Sequence, residues 1–331
     1  MPDQVSSPKV SSPKVSSPKG MVSARPVSPS VDGAIRWILD HRIQGSGITV
    51  HTKSTAASQE VTGYLIPTLY AWGERELARD LASWEARVQR ADGAFCSPDG
   101  VPYTFDTAQV IRGFLAVLDD MPELERNLRR ACEFVIRQIS SEGEVRTPSY
   151  AAWRVHGAGM FSEYAHLYVL PPLFAAGHRL NEARYVRTAL SGLRYYTRRP
   201  DLVEFKPSFS TLSHIFGYMI EALVDMGEVE LARRGLAQAA AVQQADGAIP
   251  AYPGVTWVCS TGMAQLALAW YKLGEVEPAD RSLRYLERIQ HSSGGWFGSY
   301  GAGATYLPDA EISWAPKFFL DSALWKARRE D

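Results

Sequence analysis

The chain has 331 residues, 46% of them hydrophobic, which is enough to bury a substantial core. Its 35 lysines and arginines nearly balance 36 aspartates and glutamates, so the overall charge directs it neither to nucleic acid nor to an anionic membrane. Three widely spaced cysteines fit neither a disulfide framework nor a paired-cysteine metal site, and no stretch resembles a membrane span or a signal peptide. We therefore predict a cytoplasmic globular protein without a nucleic-acid partner.

The first segment, residues 1–30, is rich in serine, proline and lysine and contains "VSSPKVSSPKVSSPK". Such a composition cannot bury enough apolar surface to offset chain entropy. It predicts a disordered tail over 1–30, followed by one folded domain over 31–331.

A unit of about 50 residues then repeats six times, which is typical of helical repeat proteins. Each unit has an amphipathic helix, a polar turn that usually contains glycine, an aromatic loop and an apolar helix. The turns lie at 42–47, 88–95, 137–145, 196–203, 242–249 and 288–298.

The two kinds of helix differ in their apolar faces. The segments 122–139 and 277–290 carry one narrow apolar stripe, as outer helices do. The partner helices are apolar nearly all round, which favours an interior position, and they lie at 62–73, 107–118, 163–177, 214–227, 261–274 and 312–325.

Glycine and proline residues are expected to set the ends of the apolar helices. Glycines after "YAW", "FAA", "VDM" and "YKL" are expected to end them in the left-handed conformation. Pro67, Pro171 and Pro172 fall inside two of them and predict a bend or a late start.

Alternating inner and outer helices in six pairs predict an all-α fold, an (α/α)6 toroid with two concentric rings. An open α-solenoid is the alternative. Closure is favoured because six hairpins then leave no apolar end helix in need of a cap.

In such a toroid the long loops meet at one mouth, where the inner helices begin. Counting back from the helix ends places Glu60, Tyr164, His214 and Thr261 at one level of the ring. The predicted catalytic residues are His214, Glu163, Tyr164 and His166, which suit acid/base chemistry. The predicted substrate-binding residues are Glu60, Asp106, Arg154, Trp257, Thr261, Gln265, Glu311, Trp314 and Lys317.

No cofactor is predicted. Cys259, His214 and Asp106 could converge as a zinc site, but no two potential ligands are close in sequence, and a lone buried cysteine is usually a small hydrophobic residue.

The turns "QRADG", "QQADG" and "QHSSGGWFG" with their apolar helices resemble the α/α-toroid superfamily of terpenoid cyclases and protein prenyltransferase β-subunits. The segments "TGYLIPTL", "TLSHIFGYMIEAL" and "TGMAQLALAWYKLG" look like bacterial toroid proteins associated with surface-polysaccharide gene clusters. The acidic cyclase motif and the prenyltransferase zinc pair are absent. The resemblance implies the toroid fold and a carbohydrate context.

Three functions follow as hypotheses. The first is an enzyme of polysaccharide metabolism, an epimerase or lyase that removes a proton from an acidic sugar in a glycan. The second is a non-catalytic protein that binds a glycan or a partner within an assembly system. The third is an isoprenoid-handling enzyme, which predicts a mouth lined by aromatic residues with few charges.

Overall fold

The structure, a computed structural model, describes residues 28–149, 154–155, 159–160 and 162–330. The tail predicted over 1–30 lies almost wholly outside these residues. Within them the chain forms twelve α-helices: α1 (Pro29–Asp40), α2 (Gln59–Ala71), α3 (Arg75–Val88), α4 (Thr104–Val117), α5 (Glu125–Arg137), α6 (Leu170–Arg179), α7 (Ala183–Thr197), α8 (Ser213–Asp225), α9 (Val229–Ala241), α10 (Ser260–Leu273), α11 (Val276–Ile289) and α12 (Trp314–Glu330).

The even-numbered helices form the inner ring and the odd-numbered helices form the outer ring. In α10 every residue from Ser260 to Tyr271 is buried, whereas α11 buries a stripe of four residues, Ala279, Ser282, Leu283 and Leu286. Neighbouring inner helices pack on one another, α2 on α4, α8 on α10 and α10 on α12. The predicted (α/α)6 toroid is therefore confirmed.

The polar turns attach each repeat to the next one. At three turns a glutamine amide donates both to the carbonyl of the turn glycine and to a carbonyl of the next outer helix: Gln89 to Gly93 and Asn127, Gln243 to Gly247 and Pro278, Gln290 to Gly294 and Ser30. The turn glycines have φ near +90°, and a Cβ on them would clash with a carbonyl of the next outer helix. The repeated "Q…G" spacing thus sets how tightly the outer helices pack.

The same contact between a turn glycine and an outer helix closes the ring. The turn glycine of the last repeat, Gly294, packs against the Gly33 carbonyl of α1, and α12 contacts both α1 and α2. Trp37 Nε1 donates to Glu311 Oε2 at 2.6 Å, which joins the first outer helix to the last loop. These contacts join the two ends of the described chain, so the fold is a closed ring and not the open solenoid.

The third inner element departs from the regular pattern. Residues Glu163–Val169 form a 3₁₀ helix, and α6 starts only at Leu170, followed by Pro171 and Pro172. Prolines without N–H groups are tolerated in the first helical turn, so the late start expected from the sequence is confirmed. In α2, Pro67 stays inside the helix.

The helix-ending glycines behave as expected with one exception. Gly73, Gly227 and Gly274 take positive φ after their helices. Gly177 lies within α6, where a Cβ would clash with Val186 of α7, and the left-handed residue is Asn181 with φ of 52°. The prediction at Gly177 was wrong, because close helix packing rather than helix termination requires glycine there.

Short antiparallel strand pairs connect the loops at the mouth: β1 (Ile48–Thr49) with β2 (Ala57–Ser58), β3 (Arg154–Val155) with β4 (Gly159–Met160), and β5 (Val258–Cys259) with β6 (Ser299–Tyr300). The backbone N–H of Ser213 donates to Ala251, which ties another loop to the start of α8. In the described residues no helix is long and apolar enough to cross a membrane.

Candidate functional site

Two carboxyl groups lie at the mouth of the ring, in the first turns of neighbouring inner helices. Glu60 belongs to α2 and Asp106 to α4. Ser97 Oγ donates to Asp106 Oδ2 at 2.7 Å, and Trp314 Nε1 lies 3.3 Å from Glu60 Oε1. Asp106 is buried, whereas Glu60 keeps partial exposure.

Burial makes both groups weaker acids than ordinary carboxyl groups. It raises the pKa of Asp106 to about 7, although the hydrogen bond from Ser97 acts in the opposite direction. Burial and the nearby charge of Asp106 together raise the pKa of Glu60 well above its usual value. The site therefore pairs two carboxyl groups that keep their protons to higher pH than ordinary carboxyls do, as general acid and base catalysis near neutral pH requires.

His214 is the third polar group of the mouth, at the start of α8. Its Nδ1 lies 2.7 Å from Gln265 Oε1, and because that oxygen only accepts, Nδ1 carries the proton and Nε2 is left as an acceptor. Burial, together with the smaller effect of the Lys317 charge, lowers the pKa of His214 to about 4. The ring is neutral at physiological pH and a weak base.

Aromatic rings surround His214. Tyr218, Trp314, Tyr306 and Phe318 have centroids 4.5, 5.7, 6.0 and 6.4 Å from the imidazole. Tyr218 continues the wall, since its ring also contacts Phe105 and Tyr168, with centroids 5.0 and 4.7 Å away. Flat apolar faces next to a few polar groups are typical of small-ligand sites.

Two buried polar groups in this region have free hydrogen-bonding capacity. Thr261 Oγ1 and Gln265 Nε2 make no hydrogen bond to any described residue, and both side chains are completely buried. Leaving such a group unpaired costs about 1–3 kcal/mol, so a polar ligand that satisfies them gains binding energy.

Charged residues close the lower end of the lumen, where the inner helices finish. Lys272 Nζ pairs with Glu221 at 3.1 Å and with Asp225 at 2.7 Å. Lys317 Nζ pairs with Asp321 at 2.9 Å and lies 3.6 Å from the centre of the Phe318 ring. Lys317 thus lies between this floor and His214, whose pKa its charge affects.

The structure does not unite the predicted cluster of Glu163, Tyr164 and His166 with His214. Glu163 is exposed and 4.0 Å from Arg199, while the Tyr164 hydroxyl donates to Asp201 at 2.7 Å. His166 is buried, and burial lowers its pKa to about 4. A 3₁₀ helix turns 120° per residue where an α-helix turns 100°, so counting back through Pro171 misplaced these side chains.

Other predicted binding residues take different positions. The Glu311 carboxylate accepts hydrogen bonds from Trp37, His291 and Ser293, which places it in the ring closure. Trp257 is buried and packs edge-on against Tyr252. Arg154 lies in β3, but its side chain is outside the described residues.

Within the part of the chain that the structure describes, no three His, Cys, Asp or Glu side chains are placed to hold a metal ion. Burial raises the pKa of the Cys259 thiol to about 12, so it is not a ready thiolate ligand.

Sequence reasoning missed several residues of the lumen, although helical spacing could have found them. Tyr64 lies four residues after Glu60, and Tyr218 four residues after His214. Glu221 lies seven after His214 and faces the same lumen. Tyr168 could not be placed this way, because the 3₁₀ segment breaks the register.

Known proteins resemble this one in structure only. No model of a protein family matches the sequence, and no curated protein sequence matches it. An unsaturated glucuronyl hydrolase specific for heparin superposes with a TM-score of 0.68 at 13% identity, over 91% of this chain and 97% of that one.

Two further solved structures agree with this finding. A possible member of the GH105 family from Salmonella enterica serovar Paratyphi A gives a TM-score of 0.67 at 11% identity, over 97% of this chain and 100% of the other. A polysaccharide lyase gives 0.61 at 12% identity, over 91% and 97%. These likenesses establish the fold. The three solved structures are those of carbohydrate enzymes, and none of the three is a terpenoid cyclase.

Proposed function

We propose that this protein is an enzyme that cleaves a glycan next to an acidic sugar, with Glu60 and Asp106 as its acid and base. The observation that carries the proposal is the pair of carboxyl groups in the first turns of α2 and α4, whose pKa values are both raised. The structural neighbours named as a glucuronyl hydrolase and a polysaccharide lyase support a substrate of this class.

In this proposal the two carboxyl groups divide the proton transfers of hydrolysis. Protonated Glu60 donates its proton to the oxygen of the leaving sugar as the C–O bond breaks. Ionised Asp106 takes a proton from the water that adds to the sugar carbon. Glu60 ends ionised and Asp106 protonated, and exchange with solvent restores both groups.

The remaining groups of the mouth bind and orient the sugar. The wall of Tyr218, Tyr306 and Trp314 offers flat faces to a sugar ring. The free donors of Thr261 and Gln265, with His214 Nε2 as an acceptor, suit the hydroxyl and carboxylate groups around that ring.

Hydrolysis fits the site better than the lyase or epimerase reaction that the sequence suggested. Those reactions need a base strong enough to remove a proton from carbon, whereas a histidine with a pKa of about 4 is a weak base. The isoprenoid-handling hypothesis predicts few charges beside the aromatic wall, and Glu60, Asp106 and Lys317 do not fit it.

The test is turnover of oligosaccharides that end in a uronic acid, with and without a C4–C5 double bond. Glu60→Gln and Asp106→Asn should each lower kcat by roughly 10²–10⁴. Glu163→Gln is the matched control, because it removes an exposed carboxylate of the same mouth, and it should keep full activity.

The products separate the alternatives. Hydrolysis of a saturated substrate releases a new reducing end without forming a double bond, whereas elimination forms one that absorbs ultraviolet light. Full activity in both Glu60→Gln and Asp106→Asn would refute the proposal. Saturable glycan binding without any product would favour the non-catalytic hypothesis.

A further inference from the structure

A second concave surface lies on the outer side of the ring, away from the lumen. It is a groove of about 540 Å³ between the turn 88–95 and helix α5. We call it the α5 groove. Four arginines line it: Arg126, Arg129, Arg130 and Arg137.

The acidic residues of the α5 groove already have cationic partners. Asp92 accepts from Arg90 at 3.3 Å, and Glu125 accepts from Arg129 at 2.8 Å. Glu133 pairs with Arg184, which lies on α7. Their negative charges are therefore offset by arginines other than Arg126, Arg130 and Arg137.

Those three arginines keep uncompensated positive charges. Arg130 donates to the Arg90 carbonyl at 2.5 Å and Arg137 to the Asp92 carbonyl at 2.7 Å, which are neutral acceptors. Arg126 is exposed and makes no hydrogen bond or ion pair with any described residue. Three guanidinium groups without a carboxylate partner among the described residues line one groove of a protein whose net charge is only −1.

The equivalent outer helix three repeats later, α11, shows that packing does not require the charge of Arg126. Gly93 packs on the Arg130 carbonyl as Gly247 packs on that of Arg281, so α5 and α11 align. At the position of Arg126, α11 has Glu277, which pairs with Arg281 at 3.0 Å. The ring forms equally well with the opposite charge at that site.

We propose that the α5 groove binds a chain of acidic glycan, holding its carboxylate or sulfate groups through Arg126, Arg130 and Arg137. Guanidinium groups match both kinds of anion with paired hydrogen bonds. Arg126 and Arg137 lie 11 residues apart, about 16 Å along the helix, so the groove spans a chain and not one anion.

The spacing of charges favours a glycan over nucleic acid. Acidic residues alternate with the arginines, and DNA carries one negative charge per ~1.7 Å of its axis, which these carboxylates would repel. A glycan with one charge on some of its sugars can avoid them. This choice of ligand rests on the proposed function, because a site outside the lumen would hold the same polymer near the mouth.

The test measures binding to the Asp106→Asn protein, in which turnover at the lumen is disabled, with oligogalacturonate, a chondroitin sulfate oligosaccharide, neutral dextran and a thymidine oligonucleotide as probes. Arg126→Glu should weaken binding of the two acidic glycans about tenfold. Arg284→Glu makes the same charge change on α11 and should alter it less than about twofold. Dextran should not bind to the groove.

Equal glycan affinity in Arg126→Glu and its parent would overturn the inference, and so would an oligonucleotide that binds more tightly than the glycans and is lost in Arg126→Glu. Arg126 has no structural partner, so folding is not at risk, and Arg126→Gln gives a milder check with the same expected direction. Turnover of a short substrate should be unchanged by Arg126→Glu. Loss of turnover in the lumen variants and loss of binding in the groove variant are thus separate results.

Discussion

Removing the ammonium group of Lys272 should destabilise the protein strongly, because it leaves the Glu221 carboxylate buried without its nearest cation. Burial alone raises the pKa of Glu221, but the charges of Lys272, Lys317 and Arg112 outweigh it and hold that pKa below its usual value. The carboxylate side chain is 4% exposed and the Lys272 side chain 12%. Breaking such a pair by removing one partner costs about 3–5 kcal/mol.

Lys272→Met should therefore lower the free energy of unfolding by about 3–5 kcal/mol and Tm by roughly 10 °C, measured by urea and thermal denaturation. The double variant Glu221→Gln/Lys272→Met removes both charges while the Tyr168 hydroxyl keeps an acceptor. It should recover about 2 kcal/mol of that loss. Arg179→Met, in a pair that is 48% and 87% exposed, is the control and should cost less than about 1 kcal/mol.

The pH dependence supplies a further check on the same pair. The folded-state pKa of Glu221 is lowered, so the stability it contributes is present above its ordinary value of 4.5 and is lost as pH falls through the folded pKa. The gap between wild type and Lys272→Met should close in acid. A double variant that is as unstable as Lys272→Met would refute this reasoning.

Two other variants test the ring closure and the site. Gly294→Ala and Gly303→Ala impose the same positive-φ strain, but only Gly294 faces the Gly33 carbonyl. In chemical denaturation Gly294→Ala should therefore lower the free energy of unfolding by at least about 2 kcal/mol more than Gly303→Ala does. Equal losses of stability would show that the turn does not close the ring. The raised pKa of Asp106 makes its contribution to stability greatest below 3.8 and lost as pH rises through about 7. Asp106→Asn should thus be more stable than wild type at pH 8, with the gap vanishing near pH 4 in thermal scans, and a variant that is less stable at pH 8 would contradict the assigned burial.

The fold could be predicted from the sequence because its signals are local. Glycine turns, narrow outer stripes and all-round apolar inner helices recur with one period, and six such units imply a ring. The role of the repeated glutamines was not predictable, because it depends on contacts between repeats. The side chains of Gln89, Gln243 and Gln290 attach the turns to the next outer helix.

The site was predictable only where the inner helices are regular. Glu60, His214 and Thr261 begin unbroken helices, and counting by helical turns places them at the mouth with Gln265. Tyr164 failed this count because Pro171 and Pro172 force a 3₁₀ segment. The raised pKa values of Glu60 and Asp106 depend on burial by distant segments, which no local pattern reports, so these residues were predicted to bind substrate and not to act in catalysis.

The pH dependence of kcat/KM on an acidic oligosaccharide tests the central claim most directly. The proposed roles require Glu60 to keep its proton after Asp106 ionises, so for wild type kcat/KM should rise as pH increases through about 7, where Asp106 ionises, and fall at higher pH, where Glu60 loses its proton. In Asp106→Asn the residual activity should lack the rise near pH 7. The same rise in that variant, or a wild-type profile that is flat between about pH 5 and 9, would contradict the account.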